Sequence, residues 1–237
     1  MAINLEKIEE RKQSVINLKK NKGIETQKAQ VVLCLDYSGS MDGLYRSGVV
    51  QETLERVLPL GLAFDDNGEV DFYLFESGIR KMPSNITLGN IDGYINEKVM
   101  NKYSMGGTNY APAINAIVNE FAETTKSGFF GSSKPKQLDL PVYVIFITDG
   151  ENYDERDAER AMIEASKHGI FFQFIGIGNS SFPFLEKLDD MPGRVIDNAD
   201  FFTVRDLKNT SDDDLYKKMM TEFPEWIRMS RQAGQIK

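Results

Sequence analysis

The chain has little of the chemistry from which most nucleophilic and metal-thiolate sites are built: one cysteine, one histidine and one tryptophan in 237 residues. A single thiol, Cys34, forbids any disulfide within the chain, and with one imidazole, His168, it cannot furnish the N/S ligand set that zinc takes. Cys34 also lies inside an apolar run, where a thiol fills core volume. No stretch approaches the ~20 apolar residues of a membrane span. Residues 1–22 are highly charged and lack the apolar core of a signal peptide. A soluble, intracellular and therefore cytoplasmic protein is the expectation. Basic residues are the minority, 28 Lys and Arg against 36 Asp and Glu, for a formal net charge of −8. Such a chain repels phosphate backbones and anionic lipid, so neither nucleic acid nor a membrane is an expected partner. The densest basic cluster, Lys19, Lys20 and Lys22, reads as a solvated helix face near the acidic Glu9 and Glu10. There is no internal repeat, and 41% apolar with 27% charged residues is the make-up of an ordinary folded domain.

What is present is an alternation of two periods. Strand-length apolar runs recur at residues 31–35, 70–75, 142–147 and 170–175, and three of them are apolar on both faces, as parallel strands covered by helices must be. Between them, Val50, Leu54, Val57 and Leu58, then Ile114, Ile117, Val118 and Phe121, then Ala158, Ala161, Met162 and Ala165 repeat at helical spacing. This order predicts an α/β fold with a mainly parallel sheet, right-handed crossovers and helices on both faces. Residues 79–82 follow the second strand after Glu76-Ser77-Gly78, a connection too short for a crossover, so they form a short antiparallel edge strand. Residues 201–204 make the last strand. Ser211 is placed to cap a helix opened by Asp212, Asp213 and Asp214 and running to about Phe223, after which Pro224 interrupts it or starts another carrying Trp226 and Ile227. The organisation expected is an amino-terminal helical extension over 1–26, with Leu5, Ile8, Val15 and Ile16 as a partial stripe, an α/β domain over 27–207, and a helical segment over 208–237 packing on it. Residues 126–140 form a loop rich in glycine, serine and proline before a strand, on the face away from the strand carboxyl ends. Its Phe129-Phe130 pair either folds back or offers a second docking point.

The chemistry concentrates in three loops. Asp36 closes the run Val31-Val32-Leu33-Cys34-Leu35, followed by the hydroxyls of Ser38 and Ser40. Thr108 follows Gly106-Gly107 just before the Ile114 helix, and Asp149 follows the 142–147 strand in Thr148-Asp149-Gly150. In an open parallel sheet all three converge outside the carboxyl ends of the strands, where ligands bind. Carboxylates and hydroxyls are hard oxygen donors of the kind Mg²⁺ takes. Taken singly, Ser38 and Ser40 read as turn residues, Thr108 as a cap for the Ile114 helix and Asp149 as a cap for the Ala158 helix. Taken together at strand ends, they read as a metal site. Other candidates are weaker: His168 reads as a surface residue at a helix end, Gly176-Ile177-Gly178 as a plain turn, and Asp65-Asp66-Asn67-Gly68-Glu69 as a connecting turn without the ligand series of a calcium loop.

The set Asp36-x-Ser38-x-Ser40, Gly107-Thr108 and Thr148-Asp149-Gly150 resembles the metal-ion-dependent adhesion site, or MIDAS, of von Willebrand factor A (VWA) domains, with all five positions filled across roughly residues 30–204. The longer strings from Ser104 to Ala113 and from Ile147 to Asn152 are similar to the intracellular branch that includes copine-type and bacterial tellurium-resistance-associated (TerF-like) proteins. The resemblance implies a Rossmann-like three-layer VWA fold. It also implies one Mg²⁺ or Mn²⁺ ion held by Ser38, Ser40 and Thr108, with Asp36 and Asp149 acting directly or through water. It further implies a final helix that shifts with site occupancy, although Pro224 and Trp226 depart from one plain helix.

Two carboxylates neutralise a divalent ion, and the hydroxyls add coordination without charge, so an open position stays electrophilic. The function expected is a non-enzymatic protein-binding module gripping a partner's Asp or Glu through the ion. By resemblance, its setting is bacterial stress or tellurite resistance. Tyr37, Met41, Met105, Asn109, Tyr110, Glu151 and Asn152 are candidates for the partner-binding rim. The competing reading is a Mg²⁺-dependent phosphohydrolase using the same ion, but the loops offer it no histidine, lysine or second-metal carboxylates.

Overall fold

The computed structural model describes residues 5–65, 68–122, 124–125, 134–150, 152–205 and 209–237. The strands are β1 (Gln30–Asp36), β2 (Asp71–Phe75), β3 (Ile79–Lys81), the two-residue pair β4 (Thr124–Thr125) and β5 (Lys134–Pro135), β6 (Val142–Thr148), β7 (Ile170–Ile177) and β8 (Ala199–Val204). The helices are α1 (Leu5–Asn21), α2 (Asp42–Arg46), α3 (Val49–Phe64), α4 (Ala111–Phe121), α5 (Glu155–Ala165), α6 (Pro183–Asp189), α7 (Asp212–Met219) and α8 (Phe223–Gln232).

Six strands form one sheet in the order β3-β2-β1-β6-β7-β8, all parallel except for β3, which pairs antiparallel with β2 at the edge. β1 is hydrogen-bonded to β2 on one side and β6 on the other, so the chain reverses its direction of winding across the β1/β6 boundary. Diverging crossovers leave a crevice at that boundary, and Asp36 and Thr148 stand at its two lips.

β2, β6 and β7 are buried at every position, and β1 at every position after its first. Alternate residues therefore serve two cores. In β6, Tyr143 packs among Phe64, Phe171 and Phe223 beneath α3 and α8, while Phe146 turns to the opposite face against Phe75 and Tyr110 at the start of α4. α1 lies on α3 and α7 as an outer layer. It buries Ile8 and Val15 there. Arg11 and Arg56 converge on the Asp212 carboxylate, at 2.8 and 2.7 Å, and tie α1, α3 and α7 together. The basic cluster is only partly a solvated face: Lys19 is buried, donating to the Gln27 and Ala63 carbonyls at 2.8 and 2.7 Å, and burial lowers its pKa to about 8.

Several boundaries differ from the sequence-based expectation. The helix capped by Ser211, whose hydroxyl accepts from the Asp214 amide, ends at Met219, and α8 starts afresh with Pro224 in its first turn. Gly176 and Ile177 belong to β7 and are not a turn. A side chain at Gly176 would meet the Phe182 ring at 2.6 Å, so the glycine is what lets that ring close over the strand. His168 is buried at the α5–β7 junction, contrary to its surface reading, and burial lowers its pKa against the opposing pull of Glu164. A π-helical turn, Ile95–Val99, lies between β3 and α4 where no periodicity announced it. Phe129, Phe130, Asp66 and Asn67 lie outside the described residues.

Candidate metal centre

Asp36 is the last residue of β1 and has no exposed surface. Its Oδ1 accepts from the Ser38 amide at 2.8 Å and its Oδ2 from the Thr148 hydroxyl at 2.6 Å, so both lips of the crevice hold one carboxylate. The Asp36 carbonyl in turn accepts from the Tyr45 hydroxyl at 2.7 Å. Burial pushes the Asp36 pKa up to about 7. The Thr148 and Ser38 hydrogen bonds pull it down, and the Asp149 charge adds to the rise.

The hydroxyls complete a relay. Ser38 Oγ lies 3.0 Å from Ser40 Oγ, and Ser40 Oγ donates to Asp149 Oδ1 at 2.9 Å. Ser38 is buried, Ser40 exposed and Asp149 half-buried, so the relay leads from the crevice to solvent. The third loop is docked by backbone: the Gly39 amide donates to the Gly106 carbonyl at 3.0 Å, and Ser38 and Gly106 form an isolated parallel bridge. Thr108, two residues on, is buried at the same edge.

The capping roles open to these residues are filled by another. Asp154 accepts from the Tyr110 and Ala111 amides at 2.9 and 2.8 Å, satisfying the first two amides of α4, and stands at the N-cap position of α5 without a side-chain cap hydrogen bond there. Neither Thr108 nor Asp149 occupies the N-cap position of α4 or α5, positions that fall to Tyr110 and Asp154. The adjoining donor set is all oxygen, two carboxylates and three hydroxyls, which fits a hard divalent cation such as Mg²⁺ or Mn²⁺ and offers no soft ligand. Cys34 is no exception, since its thiol is buried in β1 and burial raises its pKa well above the ordinary value.

Gly150 closes the third motif with φ of +120°, and a side chain there would meet Phe182 at 2.7 Å. Both the backbone and the packing therefore demand glycine.

The expected rim is largely corrected. Tyr37, Met41 and Tyr110 are core residues. Tyr37 points its hydroxyl at the Tyr103 carbonyl, 3.3 Å away, and stacks edge-on with Tyr45. Tyr110 is wedged between Phe75 and Phe146, its hydroxyl 3.1 Å from that of Thr148. Met105 is half-buried against the core. Asn109 is half-buried, its amide and side chain donating to the Glu76 and Ser77 carbonyls. Asn152 is held to Asp154 at 3.0 Å. Glu151 lies outside the described residues.

What does face solvent was not singled out. Tyr153 is 79% exposed, its amide donating to the Thr108 carbonyl and its ring beside Gly107. Ser77 is exposed and accepts from the Gly107 amide at 3.0 Å. Their signal was position alone: Glu76-Ser77 and Asn152-Tyr153 follow β2 and β6 at the same edge as Asp36. A cleft of about 250 Å³ opens beside these loops, lined by Tyr37, Glu76, Arg80, Tyr103 and Ser104, with the Arg80 guanidinium 4.5 Å above the Tyr103 ring.

A family model described as vWA-TerF-like, the vWA found in the TerF C terminus, matches residues 28–236. The uncharacterized protein YcbR of Bacillus subtilis (strain 168) is 31% identical over 234 residues, spanning 97% of this chain and 90% of YcbR. Among solved structures, the SpRpn10 VWA domain aligns with a TM-score of 0.51 at 10% identity, over 80% of this chain and 93% of that one. Proximal thread matrix protein 1 from the mussel byssus, solved with a zinc-occupied MIDAS motif, aligns at 0.50 and 21% identity, over 86% of this chain and 48% of that one. At these identities the two structures speak for the fold alone. The family match over nearly the whole chain, the near full-length likeness to YcbR and the six-stranded α/β architecture place this chain in the vWA-TerF-like family of VWA domains.

Proposed function

We propose that the chain is a protein-recognition module that depends on one divalent cation, Mg²⁺ or Mn²⁺, at Asp36, Ser38, Ser40, Thr108 and Asp149. The observation that carries this reading is the Ser38–Ser40–Asp149 relay, which runs from the buried Asp36 loop out to solvent at the sheet's switch point. Bound there, the ion supplies an electrophilic position for an Asp or Glu carboxylate of a partner protein. The chain's own residues do the rest. Thr148 and the Ser38 amide orient Asp36, the Gly106–Gly39 contact sets the Thr108 loop against the first loop, and Tyr153 offers an exposed aromatic face to what binds. The 28–236 match to a vWA-TerF-like family supports a VWA role, and the zinc-occupied MIDAS of the mussel protein supports a divalent ion in such a fold. The family's name is the support for a setting in tellurite resistance or stress, and a cytoplasmic location belongs to the same proposal.

The reading is non-enzymatic. The single histidine, His168, which could serve a hydrolase in proton transfer, lies at the amino end of β7, the opposite edge of the sheet.

The test is affinity capture with Mg²⁺ or Mn²⁺ present, compared with EDTA, with Asp36→Ala and with Tyr153→Ala. Capture lost with EDTA and Asp36→Ala, and weakened by Tyr153→Ala without loss of metal binding, is expected. Capture indifferent to chelation and to Asp36→Ala would sink the proposal.

A further inference from the structure

A second set of carboxylates lies at the far edge of the sheet. Asp189 ends α6, Asp200 is the second residue of β8 and Glu222 stands immediately before α8. One oxygen from each lies within 4.8 Å of the others. β8 runs parallel to β7, and Asp200 pairs with Gln173 in the amino half of β7, so this cluster faces away from the edge that carries Asp36.

Crowding alone would be unremarkable for exposed acids, but Asp200 is enclosed and Asp189 and Glu222 are half-buried beside it. Asp200 is 6% exposed, and its Oδ2, like Asp189 Oδ1, is sealed from solvent without a hydrogen-bond partner. A buried carboxylate oxygen with nothing to accept from is costly, and its ordinary remedies are a donor, a proton or a cation. No donor reaches Asp200 Oδ2 or Asp189 Oδ1. Gln173 donates to the Asp200 carbonyl at 3.0 Å, and the hydrogen bonds that the Asp200 carboxyl group takes from Gln173 and from the Phe201 and Glu222 amides leave its Oδ2 without a partner. Arg194, the nearby guanidinium, is turned to the Asp189 and Met191 carbonyls, at 2.5 and 3.1 Å, and to the Asp197 carboxylate at 2.7 Å. Among the described residues no Lys, Arg or His nitrogen pairs with the carboxylate of Asp189, Asp200 or Glu222.

We infer that Asp189, Asp200 and Glu222 form a site for a hard divalent cation of the calcium class, separate from the centre at Asp36. Three carboxylate oxygens from three different elements suit such an ion in donor type, and at roughly 2.3–2.6 Å per Ca²⁺–oxygen bond two ligand oxygens stand up to about 5 Å apart. The site joins the end of α6, the start of β8 and the entry to α8. Its occupancy therefore links the carboxy-terminal helix to the sheet edge. The competing state is protonation: in the ion-free chain burial first, then the neighbouring carboxylates, push Asp189 and Glu222 up to about 7, while burial raises Asp200 to about 6 against the hydrogen bonds it takes from Gln173 and the Phe201 and Glu222 amides.

The single tryptophan makes the test selective. Trp226 lies one helical turn from Glu222, its amide donating to the Glu222 carbonyl at 2.9 Å. The full chain, stripped with EDTA, is titrated with Tb³⁺ as a calcium-like probe and excited at the red edge of the tryptophan band, where tyrosine does not absorb. Trp226-sensitised emission is expected in the wild type and in Asp36→Ala, and Ca²⁺ should displace it. In Glu222→Gln and Asp189→Asn, each folded by circular dichroism, binding should weaken at least roughly tenfold. Two carboxyl variants are used so that loss of one to misfolding leaves the other to decide. Absence of sensitised emission in the wild type, emission unchanged in both carboxyl variants, or emission lost in Asp36→Ala instead would each overturn the assignment. The inference does not depend on the proposed recognition role, since a wild type that captures no partner can still carry the second ion.

Discussion

Asp36→Asn is expected to stabilise the ion-free protein at mildly alkaline pH while abolishing its response to metal. With an ordinary value of 3.8 and a folded value of about 7, the Asp36 carboxylate is disfavoured in its charged form by about 4 kcal/mol, at about 1.4 kcal/mol per pKa unit. A carboxyl raised by folding contributes its full stability below the unfolded value, and that contribution is lost as pH rises through the folded value. The ion-free wild type should therefore lose stability progressively between about pH 4 and about pH 7 and carry the whole cost at about pH 8. Asparagine removes the charge at every pH. It offers one acceptor where the carboxylate offers two, so either the Ser38 amide or the Thr148 hydroxyl must be re-partnered, a loss of about 1–2 kcal/mol. The net gain at about pH 8 is about 2 kcal/mol, or some 4–8 °C in Tm for a chain of this size. Calorimetry in EDTA across that pH range reads it directly. With free ion at about 100 times Kd the order reverses, because the wild type gains about 2.7 kcal/mol and the variant gains nothing. A wild-type Tm in EDTA that is flat from about pH 5 to about pH 8, with Asp36→Asn no more stable at the upper end, would refute the reasoning.

Two further substitutions probe the supports of the site. Gly150→Ala places a side chain at φ of +120° and 2.7 Å from Phe182, and should cost about 1–3 kcal/mol in urea unfolding, whereas Gly39→Ala, whose added carbon finds nothing closer than the Gly106 carbonyl at 3.9 Å, should stay within about 1 kcal/mol of wild type. Asp154→Ala strips the acceptor from the Tyr110 and Ala111 amides. It should cost about 1–2 kcal/mol and weaken ion binding measured by calorimetric titration, since the Thr108 loop leads directly into that first turn.

Much of this protein was legible along the chain. The order of strands and helices followed from periodicity, because a parallel strand buried on both faces is largely apolar, and β1, β6 and β7 carry only Gln30, Asp36, Thr148 and Gln173 as exceptions. The edge strand Ile79–Lys81 followed from a connection too short to cross over. The five candidate oxygen donors could be put forward because each follows or precedes a recognisable element, and strand ends in such a sheet face one edge.

What the chain order could not settle was which side chains at that edge stay in water. Tyr110 stands in a loop motif, yet its ring is taken up between Phe75 and Phe146 from two separate strands, and Met41 and Tyr37 are covered in the same way. Local pattern encodes a residue's own element, whereas burial depends on what distant elements bring against it. The cap of α4 is likewise supplied by Asp154, more than forty positions away along the chain. The Asp189, Asp200 and Glu222 cluster shares no motif and no spacing. Sequence alone determined the fold and proposed the oxygen donors gathered around Asp36. Only the tertiary structure decided which neighbours those donors answer to, because hydrogen bonds and desolvation act between residues that meet in space.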